Sequence, residues 1–298
     1  MYEQIASNKR KSFFLILFFL CLIFLLAWLF GKLTGWGPQG LILAVVIAIA
    51  MTFGSYYASD KIVLAISRAK PVEKKDYPYL YNVVEGLAIA AGLPKPRCYI
   101  IDDTAPNAFA SGRNPKNSVI VVTKGLLEKL NRVELEGVIA HEMSHIKNYD
   151  VLVQTLAVVM VGVIALLSDW ILRSFLWGGG RRRRSSSSKG GNAAAIIIVV
   201  GLVLAVLSPL IAQLVRFAVS RKREFLADAN GALLTRYPPG LASALRKLHA
   251  DKEPLEAANK ATAHLYIVNP LRNIKGNVNK LFSTHPAIEE RVAALEKM

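Results

Sequence analysis

His141, Glu142 and His145 fall in the run His-Glu-Met-Ser-His, a spacing that can hold and use a metal ion. On a helix the two histidines stand one turn apart on one face, so both imidazoles can grip a single Zn²⁺. Glu142 stands beside the first ligand, where its carboxylate can take a proton from an attacking water. A catalytic zinc takes three protein ligands and leaves a fourth position open. The remaining histidines are His249, His264 and His285, and the two cysteines, Cys21 and Cys98, lie in an apolar stretch and a strand-like run. A better third ligand comes from Ser220-Arg-Lys-Arg-Glu-Phe-Leu-Ala-Asp. On a helix Glu224 and Asp228 share a face. Glu224 can complete a His-His-Glu set, and Asp228 can accept the spare ring N–H of a ligand histidine. Each stretch alone also fits a charged surface helix; together they point to a zinc hydrolase.

The elements around these residues can position them. Asn131 is an N-cap candidate, and Val133, Leu135, Val138, Ile139 and Met143 form a broken apolar stripe at helical spacing. Residues 76–92 read as a helix with Tyr79, Val83, Leu87 and Ala90 along one side, ended by Leu93-Pro-Lys-Pro. Residues 97–101, 107–112 and 117–123 read as short strands between polar turns. From Gly125 the chain is helical again into the zinc motif. Helices are expected at 216–234, which carries Glu224, at 240–250 and at 286–297. The expected domain is α+β, mostly helical and discontinuous, formed by 59–150 and 218–298.

His-Glu-Met-Ser-His followed by Ser-Arg-x-Arg-Glu-x-x-Ala-Asp resembles the M48 family of membrane zinc metalloproteases, and within it the bacterial HtpX-type heat-shock proteases. The likeness spans nearly the whole chain. It implies a gluzincin-like protease domain with one Zn²⁺ per subunit, ligands His141, His145 and Glu224, and Glu142 as catalytic base. Asn107-Ala-Phe-Ala-Ser-Gly is similar to the family's edge strand beside the active site. That implies backbone hydrogen bonds from Asn107 and Ala108 to an extended substrate; an ordinary short strand is the alternative. Thr284-His285-Pro286 matches a further family element, with His285 either steadying the oxyanion and substrate or capping the next helix. Arg221 and Arg223 are candidates for steadying the transition state or the ligand carboxylate, or for charges flanking a membrane span.

Four apolar segments, 13–30, 41–58, 151–172 and 194–217, are each long enough to cross a hydrocarbon core that needs about 20 residues. They divide the chain into an N-terminal membrane hairpin, 1–58, the first part of the protease domain, 59–150, a second hairpin, 151–217, and the rest of the domain, 218–298. Lys9, Arg10 and Lys11 precede the first segment and Lys61, Arg68, Lys70, Lys74 and Lys75 follow the second. Both termini and the protease domain are therefore expected on the cytoplasmic side of a bacterial inner membrane. Since His145 and Glu224 flank segments three and four and must meet at one metal, these segments form a hairpin or do not cross. The Arg/Ser-rich linker 178–192, with Arg181–Arg184, runs against full spanning and leaves a re-entrant or surface-lying hairpin as the alternative. The length of both runs and the orientation set by the first hairpin favour a spanning pair. The formal charge of +16 is assigned to membrane-surface attraction rather than nucleic acid. The expected partners are the lipid bilayer and membrane protein or peptide substrates, misfolded or damaged ones by the resemblance. Rival readings are a prenyl-protein protease, an intramembrane site-2-type protease and a catalytically idle zinc scaffold.

Overall fold

The computed structural model describes residues 2–34, 56–178, 220–258, 262–270 and 286–298, with parts of 42–54 and Leu214. The helices are α1 (Tyr2–Thr34), α2 (Ser59–Ile66), α3 (Pro78–Ala91), α4 (Lys124–Lys129), α5 (Arg132–Lys147), α6 (Asp150–Gly178), α7 (Arg221–Thr235), α8 (Pro238–Ala250) and α9 (Ile288–Leu295). The strands are β1 (Lys70–Pro71), β2 (Arg97–Ile101), β3 (Ala108–Asn114) and β4 (Asn117–Thr123). The α+β, mostly helical class follows directly.

The strands form one sheet in the order β1-β2-β4-β3, with β2 parallel to β4 and β3 antiparallel to it at one edge. Strand β4 is buried on both faces, which is why Val119-Ile-Val-Val reads as a continuous apolar run rather than an alternating one. Ile120 and Val122 face a helical core with Leu135, Val138, Ile139 and Met143 of α5. Val119 and Val121 face the other way, toward Phe109 and Tyr266. So α5, the zinc-motif helix, lies on the sheet and is walled in by α7, α8 and α3.

Helix α3 begins at Pro78 and ends at Gly92, whose φ of 66° closes the last turn. Its buried face is Leu80, Val83, Val84, Leu87 and Ala88. Tyr79 and Ala90, expected on that side, are exposed. The register starting at position 80 buries four large aliphatics at i, i+3, i+4 and i+7, which the register from 79 does not. The helix expected to run unbroken from Gly125 instead breaks at Leu130, because Asn131 caps α5. Asn131 Oδ1 accepts the Glu134 backbone N–H at 3.1 Å and Glu134 accepts the Asn131 N–H at 2.9 Å, a reciprocal capping box. Val133 of the expected stripe is 43% exposed, while the rest of that stripe is buried.

Glu134 is also held by α8, through Lys247 Nζ at 2.8 Å and Ser243 Oγ at 2.6 Å. Burial pulls its pKa up, but the bonds from Lys247, Ser243 and the Asn131 N–H outweigh this and hold it below the ordinary value. A lowered folded pKa means the stabilisation is present above the ordinary carboxylate range and is lost as pH falls through the folded value. Glu134→Gln is expected to destabilise the protein by about 1 kcal/mol at pH 7. Unfolding followed against pH should show that difference closing below pH ~4; a constant difference across that range would assign the effect to packing.

Helices α5 and α6 meet at a bend of 82°. The turn runs through Tyr149, a bulky residue with φ of 61°, a backbone conformation that costs of order 1–3 kcal/mol and needs support from its surroundings. Helix α6 then packs along α1, with Leu15, Phe19 and Ile23 against Leu152, Val153, Leu156, Met160, Val161 and Ile164. The other side of α1 is an exposed apolar surface of Phe13, Phe14, Leu17, Phe18, Phe24, Leu25 and Trp28. Segment 13–30 thus lies within α1 and 151–172 within α6. Segment 41–58 is described in part, while 194–217 and the linker 178–192, apart from Gly178 and Leu214, lie outside the described residues. Among the described residues no single helix is long and apolar enough to cross a membrane; α5 and α6 together are, by length and composition, across their bend.

Candidate metal centre

His141 and His145 project from one face of α5, and Glu224 reaches them from the first turn of α7. Two glycines allow the close approach. A Cβ on Gly231, two turns beyond Glu224 on the same helix, would meet His141 N at 3.0 Å, and one on Gly137 would meet Leu241 N at 2.8 Å. Only hydrogen lets the backbones of α5, α7 and α8 pack at this distance.

The two Nε2 atoms lie 3.2 Å apart, with Glu224 oxygens 3.7 Å from His141 Nε2 and 3.6 Å from His145 Nε2. All three ligand atoms lie within 4.8 Å of one another and all three residues are buried. Each outer ring nitrogen faces a carboxylate: His141 Nδ1 lies 2.8 Å from Asp228 Oδ1 and His145 Nδ1 lies 3.0 Å from Asp150 Oδ2. A carboxylate accepts, so each Nδ1 carries a proton, and in the neutral ring that a metal ion requires, each Nε2 presents a lone pair. Two lone pairs aimed at each other at 3.2 Å repel unless a cation lies between them. Tetrahedral coordination at 2.0–2.1 Å per bond sets neighbouring ligand atoms about 3.3 Å apart, so the donor set fits Zn²⁺ in chemistry and spacing.

Electrostatics point the same way. Burial lowers the His145 pKa, but the Asp150 hydrogen bond and the charges of Glu224, Asp150 and Glu142 outweigh it and raise it to about 9. The pocket is built for positive charge. Glu142, only 2% exposed, has its pKa raised chiefly by burial, with His141, His145 and the Ala110 backbone N–H pulling the other way. A carboxylate with a raised pKa beside two imidazoles is suited to receiving a proton.

Three residues outside the sequence reading complete the centre. Arg291 of α9, fully buried, donates a two-pronged hydrogen bond to Asp228, at 2.8 Å from Nε and 2.6 Å from Nη2. Burial pulls the Asp228 pKa up, but Arg291 and His141 outweigh this and hold it far below the carboxylate range. Asp150, the first residue of α6, is the second histidine's partner. Asn8 of α1 donates to Asp150 Oδ1 at 2.7 Å and to the Asn148 carbonyl at 2.8 Å. No local pattern marks Arg291 or Asn8, and Asp150, five residues after His145, carries no signal beyond its charge.

Other expectations shift. β3 is the edge strand, yet Asn107 and Ala108 are already engaged. Asn107 Nδ2 donates to the Val268 carbonyl at 2.9 Å, and the Ala108 carbonyl accepts the Ile267 N–H at 3.0 Å. These two residues therefore hold the 267–268 segment, while Ala110 turns its N–H toward Glu142. Arg221 is exposed at the start of α7; its neighbour Arg223 is the buried one, 3.4 Å from Asp150. His285 lies outside the described residues.

A helix carrying His-Glu-x-x-His, completed by a glutamate from a second helix and lying beside a sheet edge, defines a metalloprotease. The sequence profile of Peptidase family M48 matches residues 74–298, and the chain belongs to that family. It is similar over its full length to proteins named Protease HtpX homolog. That of Dictyoglomus turgidum is 50% identical, with 94% of its length covered. Those of Thermoanaerobacter pseudethanolicus and Listeria monocytogenes are 44% and 45% identical, with 98% and 100% covered. The fold is shared with the crystal structure of S. mikatae Ste24p, at 20% identity and a TM-score of 0.50, over 99% of this chain and 66% of that one.

Proposed function

We propose that the protein is a zinc endopeptidase of a bacterial membrane, hydrolysing peptide bonds in misfolded or damaged membrane proteins at the cytoplasmic face. The observation that carries the reading is the convergence of His141, His145 and Glu224 with Glu142 one residue from the first ligand. A closed structural site has four protein ligands and needs no base; three ligands among the described residues and an adjacent carboxylate are what hydrolysis requires. The placement of the site supports the membrane setting, since α5 bends directly into α6, which lies along α1 and its exposed apolar face.

His141, His145 and Glu224 hold the ion. Zn²⁺, when bound, supplies a Lewis acid that makes a water nucleophilic and polarises the scissile carbonyl. Glu142 takes the proton from the attacking water and passes it to the leaving amine. Asp228 and Asp150 fix the tautomer and tilt of the two imidazoles, and Arg291 holds Asp228 ionised. The Ala110 N–H orients the Glu142 carboxylate between these transfers.

The test is metal content and casein cleavage of the whole protein in detergent. Wild type is expected to carry one Zn²⁺ per chain, to lose cleavage on chelation and to regain it with Zn²⁺, while Glu224→Ala loses both metal and cleavage. A wild type that binds Zn²⁺ but whose casein cleavage is the same as that of Glu224→Ala would place the cleavage outside this site and favour the scaffold reading.

A further inference from the structure

The N-terminal helix meets the metal centre through polar groups that an anchor does not need. Asn8 is 0% exposed, and its amide donates to both the Asp150 carboxylate and the Asn148 carbonyl. Arg223 Nη1 lies 3.5 Å from Asn8 Oδ1 and 3.4 Å from Asp150 Oδ1. One residue on, the Lys9 ammonium sits 4.7 Å from the centre of the Tyr149 ring. Residues 148–150 are the bend between α5 and α6, and Tyr149 holds its φ of 61° there. Two consecutive residues of α1 thus grip the strained turn that aims Asp150 at His145.

We infer that Asn8 is a positioning residue for the metal centre, holding Asp150 against His145 so that full Zn²⁺ affinity is reached only with α1 docked on α6. The inference rests on the metal reading of His141, His145 and Glu224. Asp150 has two oxygens and, among the described residues, three side-chain donors, His145, Asn8 and Arg223. Its Oδ2 serves His145, and Oδ1 receives Asn8 at a shorter distance than Arg223. Without the Asn8 amide, Oδ1 keeps, among the described residues, the long Arg223 contact, and the bend loses its bond to Asn8 at Asn148. The carboxylate is then free to turn from the imidazole. Partners of this kind change metal affinity by about 10- to 100-fold when removed. Seating of the apolar helix thereby becomes a condition of full metal affinity.

The experiment measures Zn²⁺ affinity by chelator competition, together with the visible spectrum of the Co²⁺-substituted protein, on the full chain in detergent. Asn8→Ala, Asp150→Ala and the double variant are compared with wild type, and Leu17→Ala on the exposed side of α1 is the control. Asn8→Ala is expected to weaken Zn²⁺ binding by about 10-fold or more and to alter the Co²⁺ spectrum, while Leu17→Ala changes neither. Because Asn8 acts through Asp150, adding Asn8→Ala to Asp150→Ala should cost little further affinity. Thermal unfolding of the metal-free variants guards against a general loss of fold. Equal affinity in wild type and Asn8→Ala, or full additivity in the double variant, would overturn the inference. A wild type that binds no Zn²⁺ would overturn the metal reading and this inference with it.

Discussion

Glu142→Gln is expected to lower the turnover number by about 10³-fold or more while the protein keeps its zinc. The amide is nearly isosteric with the carboxylate and still accepts the Ala110 N–H, so the α5 face and the edge strand should pack as before. What it lacks is a basic oxygen. Glu142 is buried among two imidazoles and Glu224, so no bulk water stands ready to take its place as base. The affinity for substrate should change little, which places the loss in the turnover number rather than in KM. Cleavage and metal content measured on one preparation check it. Loss of zinc along with cleavage would instead give Glu142 a part in holding the ion, and retained cleavage would refute its role as base.

Sequence periodicity made the local part of this centre legible and left the tertiary part hidden. His141, His145, Glu224 and Asp228 sit at one-turn spacings within single helices, so their shared faces follow from helix geometry alone. Asn131 and Glu134 form their capping box within four residues, and β2 and β4 have the expected bounds because apolar runs between turns define them. The face of α3 was misjudged by one position, since aromatic Tyr79 and small Ala90 fit a helical period as well as the true aliphatic face does. Arg291 reads as one charge on a short amphipathic helix; only folding shows that it points inward. Asn8 stands among Lys9, Arg10 and Lys11 and looks like the polar lead-in to an apolar segment. The pairing of Asn107 and Ala108 with the distant 267–268 segment has no local signature.

Arg291→Leu is expected to destabilise the protein by about 3–5 kcal/mol, a drop in melting temperature of roughly 10 °C for a chain of this size. The guanidinium is fully buried, with its Nη1 donating to the Ile267 carbonyl at 3.1 Å and lying 3.9 Å from Glu224. It therefore ties α9 to α7 and to the segment that covers the edge strand. Removing it leaves Asp228 ionised beside the His141 N–H, inside a site already holding Glu224 and Glu142. The cost comes from stranding a buried charge rather than from losing the attraction of the pair. That distinction is testable. Arg291→Leu combined with Asp228→Asn removes the stranded charge while the Asn oxygen can still accept from His141 Nδ1. If stranding dominates, the double variant recovers much of the stability lost by Arg291→Leu alone. If the two losses simply add, Arg291 works mainly by packing α9 against the core. Arg291→Lys separates charge from shape. A lysine can neutralise Asp228 but cannot make the fork and reach the Ile267 carbonyl together, so its stability should fall between wild type and the leucine variant.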